Sequence, residues 1–339
     1  MKILGIETSC DETGIAFLDI VDDRVTIRAE RLSSQVALHA NYGGVVPELA
    51  SREHLKALPL LIQEVLQVAG ELPDGIAVTR GPGLKGCLLT GIEFAKGLCA
   101  VYNIPLIGVN HLEGHLWSPG LSGTMPQAPY LALIVSGGHT EIVHVEGIGA
   151  YTVLARTIDD AAGEAFDKAA FLLGCPYPGG AALSKIAQEH APRAENRFKL
   201  PKVMREAEGF SFSGLKTAIA QLIQQNPTWR EDSLLRGELC WAIQESIVDA
   251  LVYKVQKAIH DTGTKTVVVT GGVSANTRLR ERIRSLAGCD AIFPHPSHCT
   301  DNGAMIALAG GIRARLGERS ELSMTAVSRW PLEEMRGVL

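Results

Sequence analysis

His111 and His115 stand four residues apart in the stretch NHLEGHL. On a helix they lie one above the other on the same face. That spacing suits two ligands of one metal ion, and it also fits an ordinary pair of surface or cleft histidines. Asp301, in HPSHCTDNGAMIALAG, is a candidate third ligand. Its place after polar residues and before an apolar run equally fits a helix cap. Two histidines and one carboxylate with open positions would match non-haem iron or zinc. A zinc-peptidase mechanism is disfavoured, because in H-E-x-x-H the base directly follows the first histidine, about 100° around the helix. Here Leu112 holds that place, and Glu113 falls roughly 200° round, pointing away.

A second group lies near the start, in IETSCDETGIAF. Two apolar runs, Ile3–Ile6 and Ile15–Leu18, read as paired strands, and between them stand Glu7, Thr8, Ser9, Asp11, Glu12 and Thr13. A tight turn needs about one such residue for its geometry, so the surplus acids call for another purpose. Glycine turns form a third group: SGGHT, YPGG at Tyr177–Gly180, and GGVSAN at Gly271–Asn276. Glycine between a strand and a helix lets backbone approach a phosphate. None of these turns matches a P-loop or a dinucleotide fingerprint, so a mononucleotide is the better fit. In DDAAGEAFDKAA, Asp160, Glu164 and Asp167 would form one acidic helical stripe, with Glu164 and Lys168 an i,i+4 pair. The stripe reads either as a wet helix face or as a place where Asp167 holds a ribose hydroxyl. Arg278, Arg280, Arg282 and Arg284 make the best local basic patch, fit for RNA phosphates or simply for solvent.

The elements that must position these residues alternate strand and helix, an α/β pattern. KILGIETSCDETGIAFLDI and YLALIVSGGHTEIVHVEGI both run strand, polar turn, strand. They lie about 128 residues apart, too long a period for a solenoid. The repeat implies two similar halves facing each other across a cleft. The expected division is 1–128, carrying the histidine helix, and 129–339, carrying the glycine turns, with the C-terminal segment free to pack back on the first half. Ser118–Pro129 reads as a linker, Cys175–Ser213 as a polar, irregular insertion, Lys85–Tyr102 as a helix and Leu234–His260 as a long amphipathic helix. With 339 residues, two domains are expected. The net charge of −5 excludes a molecule that attracts nucleic acid over its whole surface. Seven cysteines without a C-x-x-C pair argue for reduced thiols, a cytoplasmic setting and no zinc ribbon. No apolar run approaches the roughly 20 residues of a membrane span.

Taken in order, GIETSCDETG, YGGVVPELASREH, GPGL, HLEGH, VSGGHT, IDDAAGEAFDK, YPGG, FSFSGLKT, GGVSAN and CTDNGAMIA run from end to end of the chain. The set resembles the bacterial TsaD family, the tRNA N6-adenosine threonylcarbamoyltransferases. The resemblance implies the duplicated actin/Hsp70/sugar-kinase fold around a nucleotide cleft. It implies one iron or zinc ion on His111, His115 and Asp301. It also implies a threonylcarbamoyl-AMP site at Ile134, Val135, Ser136, Gly137, Gly138, His139, Asp167, Gly180 and Asn276. The reaction would place threonylcarbamoyl on N6 of the adenosine 3′ of the anticodon, position 37, in tRNAs reading codons that begin with A, an acyltransferase chemistry. Asp11 or Glu12 would accept the amine proton or orient the threonyl part. The implied partners are tRNA, a TsaB-like paralogue, a TsaE-like P-loop ATPase and a TsaC-like synthase that supplies the adenylate. The family once carried the label of a sialoglycoprotein endopeptidase, on the strength of the histidine pair. Two rival functions share the fold: a sugar or acid kinase, and an Hsp70-like or actin-like binding module. The first gives no reason for a His-His-Asp set, and the second no reason for so many polar cleft residues.

Overall fold

The computed structural model describes every residue except 23, 43, 124, 177, 192–197, 199, 201–208 and 336–339. It divides into two compact units. The first holds Met1–Ala128, Glu146–Tyr151 and the chain from Phe293 onward; the second holds Pro129–Val145 and Thr152–Ile292.

The first unit opens with β1 (Lys2–Glu7), β2 (Glu12–Val21) and β3 (Arg24–Ser34), then a single-turn helix α1 (Val36–His39) and α2 (Pro47–Ala69). β4 (Gly75–Gly81), α3 (Lys85–Tyr102), β5 (Leu106–Asn110) and α4 (His111–Trp117) follow. The sheet order is β3-β2-β1-β4-β5. β1 pairs antiparallel with β2 and parallel with β4. The period-two alternation of β1 sorts its side chains between two helical layers. Leu4 and Ile6 join Leu58, Ile62, Leu88 and Ile92 of α2 and α3 in one core. Gly5 instead faces α10 (Gly303–Arg315), where an added Cβ would stand 2.2 Å from the Gly303 carbonyl oxygen and 2.7 Å from the Ala307 Cβ.

The second unit repeats the plan. β6 (Tyr130–Val135), β7 (Thr140–Gly147) and β8 (Ala150–Arg156) lead to helices α5 (Ala162–Leu172), α6 (Gly179–Glu189), α7 (Ser213–Gln225) and α8 (Ser233–Thr262). β9 (Thr266–Thr270), α9 (Thr277–Arg284) and β10 (Asp290–Ile292) complete it. Its sheet order is β10-β9-β6-β7-β8, with β6 antiparallel to β7 and parallel to β9. Strand for strand this is the order of the first sheet, so the repeat read in the sequence is a repeat of topology. The β1–β2 turn and the β6–β7 turn occupy corresponding places.

Several expectations are met closely and several are corrected. The helix expected at Lys85–Tyr102 has those bounds. Ser118–Pro129 begins not as a loose linker but as a 3-10 turn, Ser118–Ser122, with Ser118, Pro119, Gly120 and Leu121 buried. The Ser118 hydroxyl donates to the His115 carbonyl, so the segment closes α4 before the chain departs. The stretch Cys175–Ser213 contains the regular helix α6, which buries Leu183 and Ala187. The remaining residues of that stretch lie partly outside the described residues. Among the described residues no helix is long and apolar enough to cross a membrane.

Candidate functional site

In the first unit, α4 starts where β5 ends. Asn110 makes the junction: its Oδ1 accepts from Leu112 N at 2.9 Å and its Nδ2 donates to the Trp330 carbonyl at 3.0 Å. The cap fixes the first turn, so His111 and His115 present one face. Asp301 arrives from the far end of the chain, just ahead of α10. The cap of α10 is Asn302, whose Oδ1 accepts from Met305 N at 2.9 Å, and this leaves the Asp301 carboxylate for the histidines. Asp301 Oδ1 stands 3.4 Å from His111 Nε2 and 3.1 Å from His115 Nε2. The three donors lie within 4.8 Å of one another. Bonds of about 2.0–2.1 Å at tetrahedral angles put donors about 3.3 Å apart, so this set fits a single metal ion and leaves room for further ligands.

The electrostatics match that fit. Burial alone would lower His111, but the charges of Asp301 and Glu7 raise it to about 9. Burial, then the charges of Asp301 and Asp11, push Glu12 up to about 9. Burial would raise Glu7 as well, yet His111 beside it holds the carboxyl below the usual range. Carboxylates crowded around two imidazoles form a pocket of negative charge that a cation relieves.

The polar turn between β1 and β2 owes its form to these contacts. The Thr8 hydroxyl donates to the Cys87 carbonyl on α3 at 2.9 Å, and the Ser9 hydroxyl lies 3.2 Å from His111 Nδ1. His54 of α2 grips the turn from the other side, with Nδ1 2.7 Å from the Thr13 hydroxyl and Nε2 2.9 Å from the Cys10 carbonyl. Gln35 N donates to the Asp11 carbonyl at 3.1 Å. The hydroxyls therefore hold the turn in place, while Glu12 feels the charges of both Asp301 and Asp11.

In the second unit, Ile134 and Val135 are fully buried in β6, so only backbone at that strand's end can face a ligand. The turn beyond it is tight. Ser136 N donates to the His139 carbonyl at 2.8 Å, and Ser136 Oγ accepts from His139 N at 3.0 Å and Gly138 N at 3.3 Å. Gly137 and Gly138 are exposed, and a Cβ on either would meet open space. Asp167 accepts from Gly180 N at 2.7 Å and from the Gly179 backbone, which anchors the start of α6. Burial raises its carboxyl. The Asn276 side chain caps α9 through Leu279 N at 2.9 Å. Its Nδ2 donates to Ser184 Oγ and Gln244 Oε1, each at 2.9 Å. Asp167 and Asn276 thus shape the glycine turns through their own hydrogen bonds. Tyr177 of YPGG lies outside the described residues.

Residues 26–308 match the family described as TsaD: tRNA N6-adenosine threonylcarbamoyltransferase. The chain belongs to the TsaD family. Members of that family are tRNA-modifying transferases, and the sequence resemblance is borne out.

Solved structures similar to this TsaD-family chain support the same fold. Component A of the Acidaminococcus fermentans (R)-2-hydroxyglutaryl-CoA dehydratase is 16% identical, with a TM-score of 0.55 over 92% of this chain and 97% of that one. HypF of T. kodakarensis is 15% identical, with a TM-score of 0.59 over 93% of this chain. Full-length HypF in a phosphate- and nucleotide-bound form is 14% identical, with a TM-score of 0.57 over 96%. This chain spans about half the length of either HypF chain, 48% and 47%. At such identities the likeness is one of fold: the actin/Hsp70/sugar-kinase architecture.

Two charged stretches are put to a different use than their sequence suggests. Arg278 donates to Glu245 at 2.6 and 2.9 Å, and Arg282 pairs with Glu245 at 3.3 Å and Asp249 at 2.6 Å. Arg280 Nε donates to the Ser274 carbonyl at 2.6 Å. Arg278 and Arg282 thus fasten α9 to α8, so the basic patch is largely neutralised. Asp160 precedes α5 rather than lying on it, so the acidic stripe is not one helical face. Lys168 bridges Asp160 at 3.0 Å and Glu164 at 2.6 Å. Sequence reasoning missed His54 as a partner of the site, and it named Glu7 among the surplus acids of the turn without linking it to His111. The only local signal for His54 was its place in YGGVVPELASREH.

Proposed function

We propose that this chain transfers the threonylcarbamoyl group from threonylcarbamoyl-AMP to N6 of the adenosine at position 37, 3′ of the anticodon, in tRNAs reading codons that begin with A. AMP is released, which makes the reaction an acyl transfer. The observation that carries the reading is the convergence of His111 Nε2, His115 Nε2 and Asp301 Oδ1 beside the Asp11–Glu12 turn, in a chain of the TsaD family.

The donor is a mixed anhydride, so its carbonyl carbon is already activated and AMP is a good leaving group. The acceptor amine is weak because its lone pair is delocalised into the adenine ring. The N6 lone pair attacks the carbamoyl carbon, the bond from that carbon to the phosphate oxygen breaks, and AMP leaves with the electron pair. The amine proton passes to Asp11, or to Glu12 where its carboxyl, pushed up by burial and by Asp301, is ionised. The site's tasks are orientation and stabilisation of developing charge. Iron or zinc on His111, His115 and Asp301 would supply Lewis acidity toward a substrate oxygen. Ser136–His139, Asp167, Gly180 and Asn276 would bind the adenylate, the exposed Gly137 and Gly138 offering backbone close to its phosphate. An adenosine in an anticodon loop is accessible without opening a duplex.

With net charge −5 and the α9 arginines paired, the chain alone would bind tRNA weakly. A TsaB-like paralogue, a TsaE-like ATPase and a TsaC-like synthase would complete the system in the cytoplasm. The test combines the full chain, these partners, threonylcarbamoyl-AMP and unmodified tRNA, and reads the mass of the nucleoside 3′ of the anticodon. The modified nucleoside should appear with wild type and be lost with His111→Ala. Its absence from wild-type reactions overturns the proposal and favours a kinase-like activity.

A further inference from the structure

Glu7 is fully buried at the end of β1. Its Oε1 accepts from Ser9 N at 2.5 Å, and its Oε2 accepts from the Thr79 hydroxyl at 2.6 Å. The same Oε2 lies 3.1 Å from His111 Nδ1, the ring nitrogen turned away from Asp301. Among the described residues no lysine or arginine forms an ion pair with Glu7; its one ion-pair partner is His111. A buried carboxylate without a cation is costly, so this one calls for positive charge delivered through the imidazole. A carboxylate on the far nitrogen of a ligating histidine fixes the tautomer and makes the near nitrogen a stronger donor.

We infer that Glu7 is a positioning residue for the metal, holding His111 with its proton on Nδ1 and its Nε2 lone pair directed at the ion, with Thr79 and Ser9 locking the carboxylate itself. The inference rests on the metal reading above and adds a residue that none of the ligand spacings in the sequence reveals. Glu7 touches neither substrate nor ion; it acts through His111.

The test measures Zn2+ affinity of the full-length chain by chelator competition, and the visible absorption of its Co2+-loaded form. Wild type, Glu7→Gln, Thr79→Val and Asp301→Ala are compared. Glu7→Gln keeps the side chain's shape and should bind Zn2+ about 10–100-fold more weakly, with shifted Co2+ bands. Thr79→Val removes only the hydroxyl that holds Glu7, and should weaken binding in the same direction by less. Asp301→Ala should abolish the site. Glu7→Gln with wild-type affinity and wild-type Co2+ bands overturns the role of Glu7 while leaving the metal reading intact. If Glu7→Gln does not fold, unchanged affinity in Thr79→Val overturns it instead. Wild type that takes no Zn2+, or Asp301→Ala that binds as wild type does, overturns the metal reading and this inference together.

Discussion

Glu113, on the same helix as His111 and His115, is locked in a bidentate ion pair with Arg313 of α10. Arg313 Nε donates to Oε2 at 2.5 Å and Nη2 to Oε1 at 2.6 Å, and the two side chains are 3% and 1% exposed. The Tyr151 hydroxyl donates to the same carboxylate at 2.5 Å. All of its oxygens are occupied, on a side of α4 away from Asp301. Glu113 is therefore structural and is not available as the base that peptidase chemistry on an H-x-x-x-H stretch would ask of this helix.

Breaking this pair from one side should destabilise the fold without removing the metal. Arg313→Met leaves a buried carboxylate unpaired, a loss of about 3–5 kcal/mol in denaturant unfolding. The double variant Arg313→Met with Glu113→Leu should recover much of it. A single variant as stable as wild type would contradict the structural role.

What the sequence could and could not convey follows from the range of each interaction. The His111–His115 register, the strand–turn–strand repeats and helix Lys85–Tyr102 are local patterns, legible because periodicity is local. Asp301 was ambiguous between cap and ligand because both need the same position. Asn302 takes the cap, which removes the cap reading of Asp301, a choice that one residue's offset hides. The partners of Glu113, Arg278 and Arg282 lie on other helices, 200 residues away in the first case, and no spacing rule points to them. Arg278 and Arg282 accordingly looked like solvent or phosphate contacts when α8 supplies their counter-charges.

The grip of His54 on the acidic turn predicts a separable effect. His54→Ala should lower kcat by about ten- to a hundredfold through misplacement of Asp11 and Glu12, while metal stoichiometry stays at the wild-type value. Thr13→Val should do the same more mildly. Loss of metal in step with activity would show that His54 supports the ligands instead.

Asp301 reaches the histidines because α10 approaches β1 and β2 at glycine. A Cβ on Gly303 would stand 2.7 Å from the backbone of Ile15 and Ala16, which cannot yield as a side chain can. Gly303→Ala should cost about 1–3 kcal/mol in unfolding and weaken Zn2+ binding by displacing Asp301. A variant that is destabilised but binds Zn2+ normally would break the link between this packing and the site.

In the second unit, Asp159 accepts from Ser211 Oγ at 2.5 Å, Phe212 N at 2.8 Å and Ser213 Oγ at 2.8 Å, at the start of α7. Partial burial would raise its carboxyl, but these donors outweigh it and hold the carboxyl below its ordinary 3.8. A depressed carboxylate contributes stability that is present above the unfolded value and lost as pH falls through the folded one. Unfolding of wild type should therefore become easier below about pH 4, and Asp159→Asn should flatten that dependence. Identical pH profiles would contradict the assignment.

The central claim is group transfer from the adenylate. Its most direct measurement follows threonylcarbamoyl-AMP labelled in the carbamoyl carbon, with the full chain, its partners and unmodified tRNA. The account predicts label in the nucleoside 3′ of the anticodon in an amount equal to the AMP released, with both lost in Asp301→Ala. Adenylate breakdown that leaves the RNA unlabelled would contradict it.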